Sequence, residues 1–291
     1  MKQLIGRAPS VLPLTLLLLA MASFQAGASI AKTMFPLVGA VGTVTVRIVL
    51  GTAILAITMK PWRARIPPGS RLALVLYGMS LGLMNLCFYI ALSRIPLGIA
   101  VAVEFSGPLA VAVFTSRRAL DFCWVALIIG GLLLLLPITH PVTRIDPVGI
   151  LYALAAGACW ALYIIFGRKA GAGHGAQTVA LGSIISTIII APIGLATAGS
   201  ALWSRAILLP GLAVAILSTA LPYSLEMIAL TRMPVRTFGI LMSVDPALAA
   251  LFGLVFLHER LSGMQWVAIV LIIGASIGTS LTVQQKVPMP G

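Results

Sequence analysis

The sequence predicts an all-α integral membrane protein of ten transmembrane helices, arranged as two inverted five-helix repeats. Three observations carry that expectation. Hydrophobic residues make up 60% of the 291-residue chain and charged residues only 9%, with a mean hydropathy of +1.12, whereas soluble domains carry about 25% charged residues. The apolar residues are gathered into runs of about twenty, long enough at 1.5 Å per residue to cross a hydrocarbon core of about 30 Å. The heptapeptide Ile90-Ala-Leu-Ser-Arg-Ile-Pro96 recurs as Ile228-Ala-Leu-Thr-Arg-Met-Pro234. The runs are uniformly apolar rather than alternating, which argues against a barrel, and they lack the polar faces of a soluble helical core.

Taken in order, the first five spans are Val11–Ala31, Val38–Met59, Leu72–Leu92, Pro96–Thr115 and Phe122–Ile138. The second five are Pro147–Phe166, Gln177–Ala196, Ala206–Leu230, Val235–Leu257 and Met264–Val283. Lys2 and Arg7 before Val11–Ala22 resemble a signal peptide with Ala20-Met21-Ala22 as a cleavage site. The apolar run continues to Ala31 and the repeat needs this segment, so a retained first helix is the preferred reading. The longest connections, Lys60–Arg71 and Thr139–Asp146, are short and leave no room for an inserted soluble domain. The chain divides into a first repeat, 10–138, a second repeat, 147–283, and a tail, 284–291, whose Pro288 and Pro290 suggest disorder.

Loop charges orient the spans. With a cytoplasmic N-terminus the inner loops hold Lys2, Arg7, Lys60, Arg63, Arg65, Arg71, Arg117, Arg118, Arg168, Lys169, Arg232, Arg236 and Lys286. The outer loops hold only Lys32, Arg94, Arg144, Arg205 and Arg260. That bias places both termini in the cytoplasm. It also accounts for the net charge of +13 without nucleic acid, because the basic residues are scattered between apolar runs.

The repeat offset is 138 residues, and carried forward it pairs Pro108 with Pro246 and Phe114 with Phe252. After an insertion around His258-Glu259-Arg260, Trp124-Val-Ala pairs with Trp266-Val-Ala. Units of five spans lie in opposite orientations, since five is odd, and inverted repeats build many secondary transporters.

Candidate functional residues stand out by cost. Glu104 lies mid-span in the stretch Val101–Pro108, and a charge at a helix centre costs about 2.5–3.5 kcal/mol on insertion scales. Gly107 and Pro108 follow it, and Pro246 follows Asp245; an interior proline removes a helical hydrogen bond, and the residue before it is biased away from helical geometry. Such breaks free backbone groups to line a polar cavity. Glu104 and Asp245 are therefore candidates for binding a proton or a substrate ammonium; the alternative for each is a structural hydrogen bond or pairing with Arg47. Arg47, deep in the second span, either binds a substrate carboxylate or pairs structurally with Glu104, the latter being preferred. Glu226, four residues after Pro222, either enters the cavity or snorkels beside Arg232.

Polar residues on other spans could complete a cavity: Gln25, Ser29, Asn85, Tyr89, Trp160, Tyr163 and Tyr223. Asn85 and Tyr89, four apart on one helical face, lead; the aromatic residues serve equally as interfacial or packing groups. The spacings Gly78/Gly82 and Gly274/Gly278 suit close helix packing.

Several classes drop out. Cys87, Cys123 and Cys159 sit in apolar segments without ligand spacing, and His140, His174 and His258 lie in separate loops. No nucleophile elbow or phosphate loop occurs, so neither an enzyme nor an ATP-driven pump is expected. No cofactor or metal is implied, and no protein partner is indicated beyond membrane lipid and a small substrate.

Finally, the runs Gly107–Val113 and Ile216–Arg232, the motif Asp245-Pro-Ala-Leu-Ala-Ala250 and the turn His258-Glu-Arg-Leu261 resemble the EamA family of the drug/metabolite transporter superfamily over about residues 10–283. The resemblance implies a ten-helix inverted-repeat fold in a bacterial inner membrane. It also implies export of small amino acids, threonine and homoserine first. Asp245 stands where the family commonly has Glu, which keeps the acid and shortens its reach. Relatives in the family export aromatic amino acids or other metabolites, so an exporter or uniporter of such compounds is the alternative, and a structural membrane subunit is the non-transport alternative.

Overall fold

A backbone surrounded by lipid must satisfy its N–H and C=O groups within its own segment, which the α-helix does. The computed structural model describes residues 11–64, 67–115, 145–170, 175–230, 232 and 241–282, with 123, 124, 126, 127, 129–131 and 134 between them. Every regular element in that set is helical.

Helix α1 runs Val11–Met59 and bends at Gly39, where φ is 69° and ψ 172°. Glycine enters that left-handed region without steric cost. The sequence expectation is corrected here: no loop separates Ala31 from Val38. Pro36 is absorbed within the helix, and the kink between its two arms falls at Gly39 instead. Short 3₁₀ turns at Pro61–Arg63 and Pro68–Ser70 lead into α2, Arg71–Leu92. The expected fourth span is two helices, α3 (Leu97–Glu104) and α4 (Ser106–Thr115), parted at Phe105. The expected fifth span, Phe122–Ile138, lies largely outside the described residues, as does the tail.

Helix α5 spans Pro147–Ala170 and α6 spans Gly175–Ala198, followed by a 3₁₀ turn at Gly199–Trp203. Helix α7, Arg205–Ala215, passes through a π-helical turn at Ile216–Ala220 into α8, Leu221–Leu230. Helices α9 (Asp245–Phe256) and α10 (Gly263–Thr282) complete the set. Among the described residues five helices are long and apolar enough to cross a membrane: Leu12–Met59, Pro68–Leu92, Pro147–Gly167, Gln177–Trp203 and Arg205–Tyr223. Leu97–Val111, Asp245–Phe256 and Gly263–Ala275 are shorter apolar helices.

The burial pattern is that of a protein in lipid. Ile57, Leu209 and Ile188 are 71%, 69% and 66% exposed, while Gln25 and Arg47 are 0% and 2% exposed. Polar groups are turned inward because hydrocarbon cannot solvate them. Helix α1 packs against α2, α6, α7, α8 and α9, α2 lies on α5 and α6, and α3 is held between α5 and α9. Missing side chains allow the tightest crossings. A Cβ on Gly107 would stand 1.9 Å from the Gly157 carbonyl oxygen, and one on Gly98 would stand 2.6 Å from the Ala250 Cα. Gly78 fits against Ile185 and Gly82 against Ser186, so that glycine pair packs α2 on α6 within the chain.

Helix starts are capped outside the apolar zone. Asp146 Oδ1 accepts the Val148 N–H at 2.8 Å, and its Oδ2 accepts from Arg94 at 2.7 Å. Ser262 and Gln265 form a reciprocal capping box at the start of α10: Gln265 Oε1 accepts the Ser262 N–H at 2.8 Å, and Ser262 Oγ accepts the Gln265 N–H at 3.3 Å.

Candidate functional site

Two interrupted helices meet at the centre. The α3–α4 break at Phe105 and the turn at Ser243–Val244 before α9 are separated by the repeat offset, and each is followed within three residues by proline. Glu104 ends α3 and Asp245 opens α9. The break at Glu104–Gly107 is pressed against α5: a Cβ on Gly157 would lie 2.7 Å from the Glu104 carbonyl oxygen. Packing of α3 on α9 then brings the two carboxylates to the same space.

That space is a cavity of about 250 Å³. Its polar lining is Arg47, Asn85, Glu104, Tyr163, Tyr223, Glu226 and Asp245, together with Trp160. Its apolar lining includes Met21, Phe24, Met84, Val101 and Met242. Residues from α1, α2, α3, α5 and α8 thus converge with those of α9 and the turn before it. Asp245 accepts a hydrogen bond from Gln25 Nε2 at 2.9 Å. Glu104 is buried, and among the described residues its carboxylate has no ion-pair partner. Trp160 stands edge-on to Phe105 with ring centroids 5.0 Å apart, and the Tyr163 hydroxyl lies 3.3 Å from that of Tyr77.

The preferred pairing of Arg47 with Glu104 is not what the structure holds. Arg47 Nη1 donates to Asn85 Oδ1 at 2.8 Å and Nη2 to the Ser218 carbonyl at 3.0 Å. Asn85 in turn donates through Nδ2 to the Leu81 carbonyl at 2.8 Å, which fixes the direction of its oxygen. The Phe24 and Tyr89 rings flank the guanidinium at 5.4 and 5.3 Å. Tyr89 is therefore placed behind Arg47, packed on Phe35 and Phe88, and not on the cavity wall. The α2 periodicity put Asn85 and Tyr89 on one face; it did not reveal that Arg47 lies against both of them. Ser29 returns its hydroxyl to the Gln25 carbonyl at 2.9 Å, as helical serines in lipid commonly do. Gly107, Pro108 and Pro246 all sit in the first turn of the helix that follows a break.

One cluster escaped the sequence reading. Glu259, between α9 and α10, ion-pairs with Lys32 of α1, and its Oε2 accepts the Leu97 N–H at 2.8 Å. Lys32 Nζ also donates to the Ile95 carbonyl at 3.1 Å. His258 adopts φ 55°, and the Glu259 N–H returns to the Gly253 carbonyl at 3.0 Å. A Cβ on Gly253 would crowd Glu259 Oε2 at 2.5 Å. The signal was the insertion around His258-Glu259-Arg260 that interrupts the 138-residue offset between matching sequence segments. Leu97 is seven residues from Glu104, and Lys32 eight from Phe24, so the cluster lies about 10–12 Å from the cavity along the helices. Ile99, Ala100, Ala102 and Val103, all 0% exposed, fill the interval.

These features define a multi-pass helical membrane protein with a charged internal cavity between interrupted helices. Residues 147–281 match the EamA-like transporter family. The threonine/homoserine exporter RhtA of Escherichia coli (strain K12) and that of Salmonella typhimurium (strain LT2) are each 57% identical to this chain over 278 residues, covering 96% of it and 94% of the relative. The chain belongs to the EamA-like transporter family, a family of transporters and not of enzymes. A solved crystal structure shares the fold with a TM-score of 0.62 at 19% identity, over 94% of this chain and 96% of that one.

Proposed function

We propose that the chain exports small amino acids, threonine and homoserine first, by alternating access. The observation that carries this reading is the cavity itself, where one guanidinium and three carboxylates surround a space of about 250 Å³. A zwitterion needs both signs of charge within a few ångströms, and an apolar remainder limits the side chain it accepts. The relatives at 57% identity are named for such substrates.

The ten-helix inverted repeat, with repeats at 10–138 and 147–283 in a bacterial inner membrane and both termini cytoplasmic, is the architecture that suits this reading. Matching breaks at Phe105 and Ser243–Val244 support it, as does the loop-charge bias. With that orientation the Lys32–Glu259–Leu97 cluster closes the outer end, and the buried residues of α3 form the plug beneath it. Glu104 and Asp245 alternate between a proton and the substrate ammonium, which couples export to inward proton movement. Glu226 and the tyrosines Tyr163 and Tyr223 line the inner half of the route, while Asn85 and Trp160 shape the site.

The deciding experiment is counterflow in proteoliposomes with threonine, homoserine and phenylalanine, with and without an imposed pH gradient. Exchange of the two hydroxy amino acids, accelerated by the gradient, is the expected result. Preference for phenylalanine would move the assignment to aromatic substrates, and no exchange of any amino acid would overturn it.

A further inference from the structure

We propose that Arg47 anchors the substrate's carboxylate, and that Asn85 and the Ser218 carbonyl are positioning groups that hold it ready. The proposal rests on the export reading and assigns the two ends of the substrate to different groups lining the cavity.

A guanidinium carries five N–H donors and no acceptor. Among the described residues two acceptors engage it, Asn85 Oδ1 and the Ser218 carbonyl, and both are neutral. Arg47 Nε is buried with no hydrogen-bond partner, the side chain is 2% exposed, and the ion pairs among the described residues leave it out. A buried arginine without an anion is costly. Phe24 and Tyr89 support its charge through their ring faces without cancelling it. A planar fork held this way matches an incoming carboxylate in two parallel hydrogen bonds. Glu104, Asp245 and Glu226, which line the same cavity, then take the ammonium.

The Ser218 acceptor is built into the local sequence. In a regular α-helix its carbonyl would accept the N–H of residue 222, which is Pro222 and has none. The helix instead widens into the π-helical turn Ile216–Ala220, a form frequent at functional sites, and the carbonyl accepts from Arg47. Close approach of α1 makes this possible: a Cβ on Gly27 would stand 2.0 Å from Ser218 Oγ. Neutral clamps matter, because an acid at position 85 would occupy the charge that the substrate requires.

The test compares binding of threonine with that of threoninol, the amino alcohol lacking the carboxylate, to the reconstituted full-length protein. The wild type is expected to favour threonine by about tenfold or more, the equivalent of one charge-assisted contact. Arg47→Gln should weaken threonine by about tenfold while leaving threoninol within about twofold, so that discrimination collapses. Asn85→Asp gives the guanidinium a resident carboxylate and should produce the same collapse with unfolding temperature preserved. It therefore remains informative if Arg47→Gln does not fold. Equal loss for both ligands in Arg47→Gln, or threonine binding by Asn85→Asp as in the wild type, would overturn the anchor. A wild-type protein that exchanges threonine without distinguishing threoninol also overturns the anchor while the export reading stands. Failure to move any amino acid overturns the export reading first.

Discussion

Glu104, Asp245 and Glu226 surround one space, yet their neighbours differ, and that difference separates their expected roles. Asp245 is held by Gln25, whereas Glu104 has no such donor among the described residues, so the proposed proton exchange falls first to Glu104. Glu104→Gln keeps the shape and removes the exchangeable site. Threonine counterflow should persist, while accumulation driven by a pH gradient falls by about tenfold or more, a change of about 1.4 kcal/mol. Unchanged gradient-driven accumulation would remove Glu104 from coupling. Gln25→Leu strips a buried acid of its donor and should destabilise the fold by about 1–3 kcal/mol, read as a lower unfolding temperature in detergent. The acids were legible in the sequence because a charge in an apolar run has few cheap explanations. Tyr89 was misplaced because periodicity groups residues on a face but does not say what covers it.

At the scale of elements, the interrupted helices depend on backbone contact. Gly107 meets the Gly157 carbonyl where no Cβ fits, so Gly107→Ala must push α4 away from α5. The expected cost is about 1–3 kcal/mol, with export lost, and an unaltered unfolding temperature would contradict this packing. The Glu259 cluster joins three elements by two distinct interactions, and two substitutions separate them. Glu259→Gln retains an acceptor for the Leu97 N–H and loses the ion pair with Lys32, whereas Glu259→Ala loses both. The alanine variant should be the less stable by about 1 kcal/mol, the value of a lost helix cap. The Pro108 and Pro246 positions could be read from sequence as breaks. The bend at Gly39 could not, since the end of the first apolar run put the break at residues 32–37, where the helix in fact continues.

For the whole molecule, orientation and the outer ion pairs can be tested together. Single cysteines at Arg94 and Arg205 should react with an impermeant thiol reagent added to intact cells, and one at Lys60 should not; the reverse pattern would invert the topology. Arg94, and then the Val148 N–H, hold the Asp146 carboxyl below its ordinary range. A carboxyl depressed on folding contributes stability above its unfolded value, about pH 4, and loses it as the pH falls through the lower folded value. The unfolding temperature of Asp146→Asn should thus trail the wild type near neutrality and converge with it in acid. A gap that widened in acid would contradict the pairing.

Composition and the spacing of apolar runs determined the membrane class and most helix positions, because hydrocarbon leaves the backbone few ways to be satisfied. The cost of a charge in such a run likewise singled out Glu104, Asp245, Glu226 and Arg47. Tertiary structure alone decided their relations. Arg47 faces neutral acceptors instead of Glu104 because Pro222 leaves the Ser218 carbonyl without its helical donor and Asn85 is aimed by Leu81. Glu259 closes onto Lys32 and Leu97 across more than half the chain. Such partners are set by how helices cross, through Gly27, Gly98 and Gly107, and a one-dimensional pattern carries the helices without their crossings.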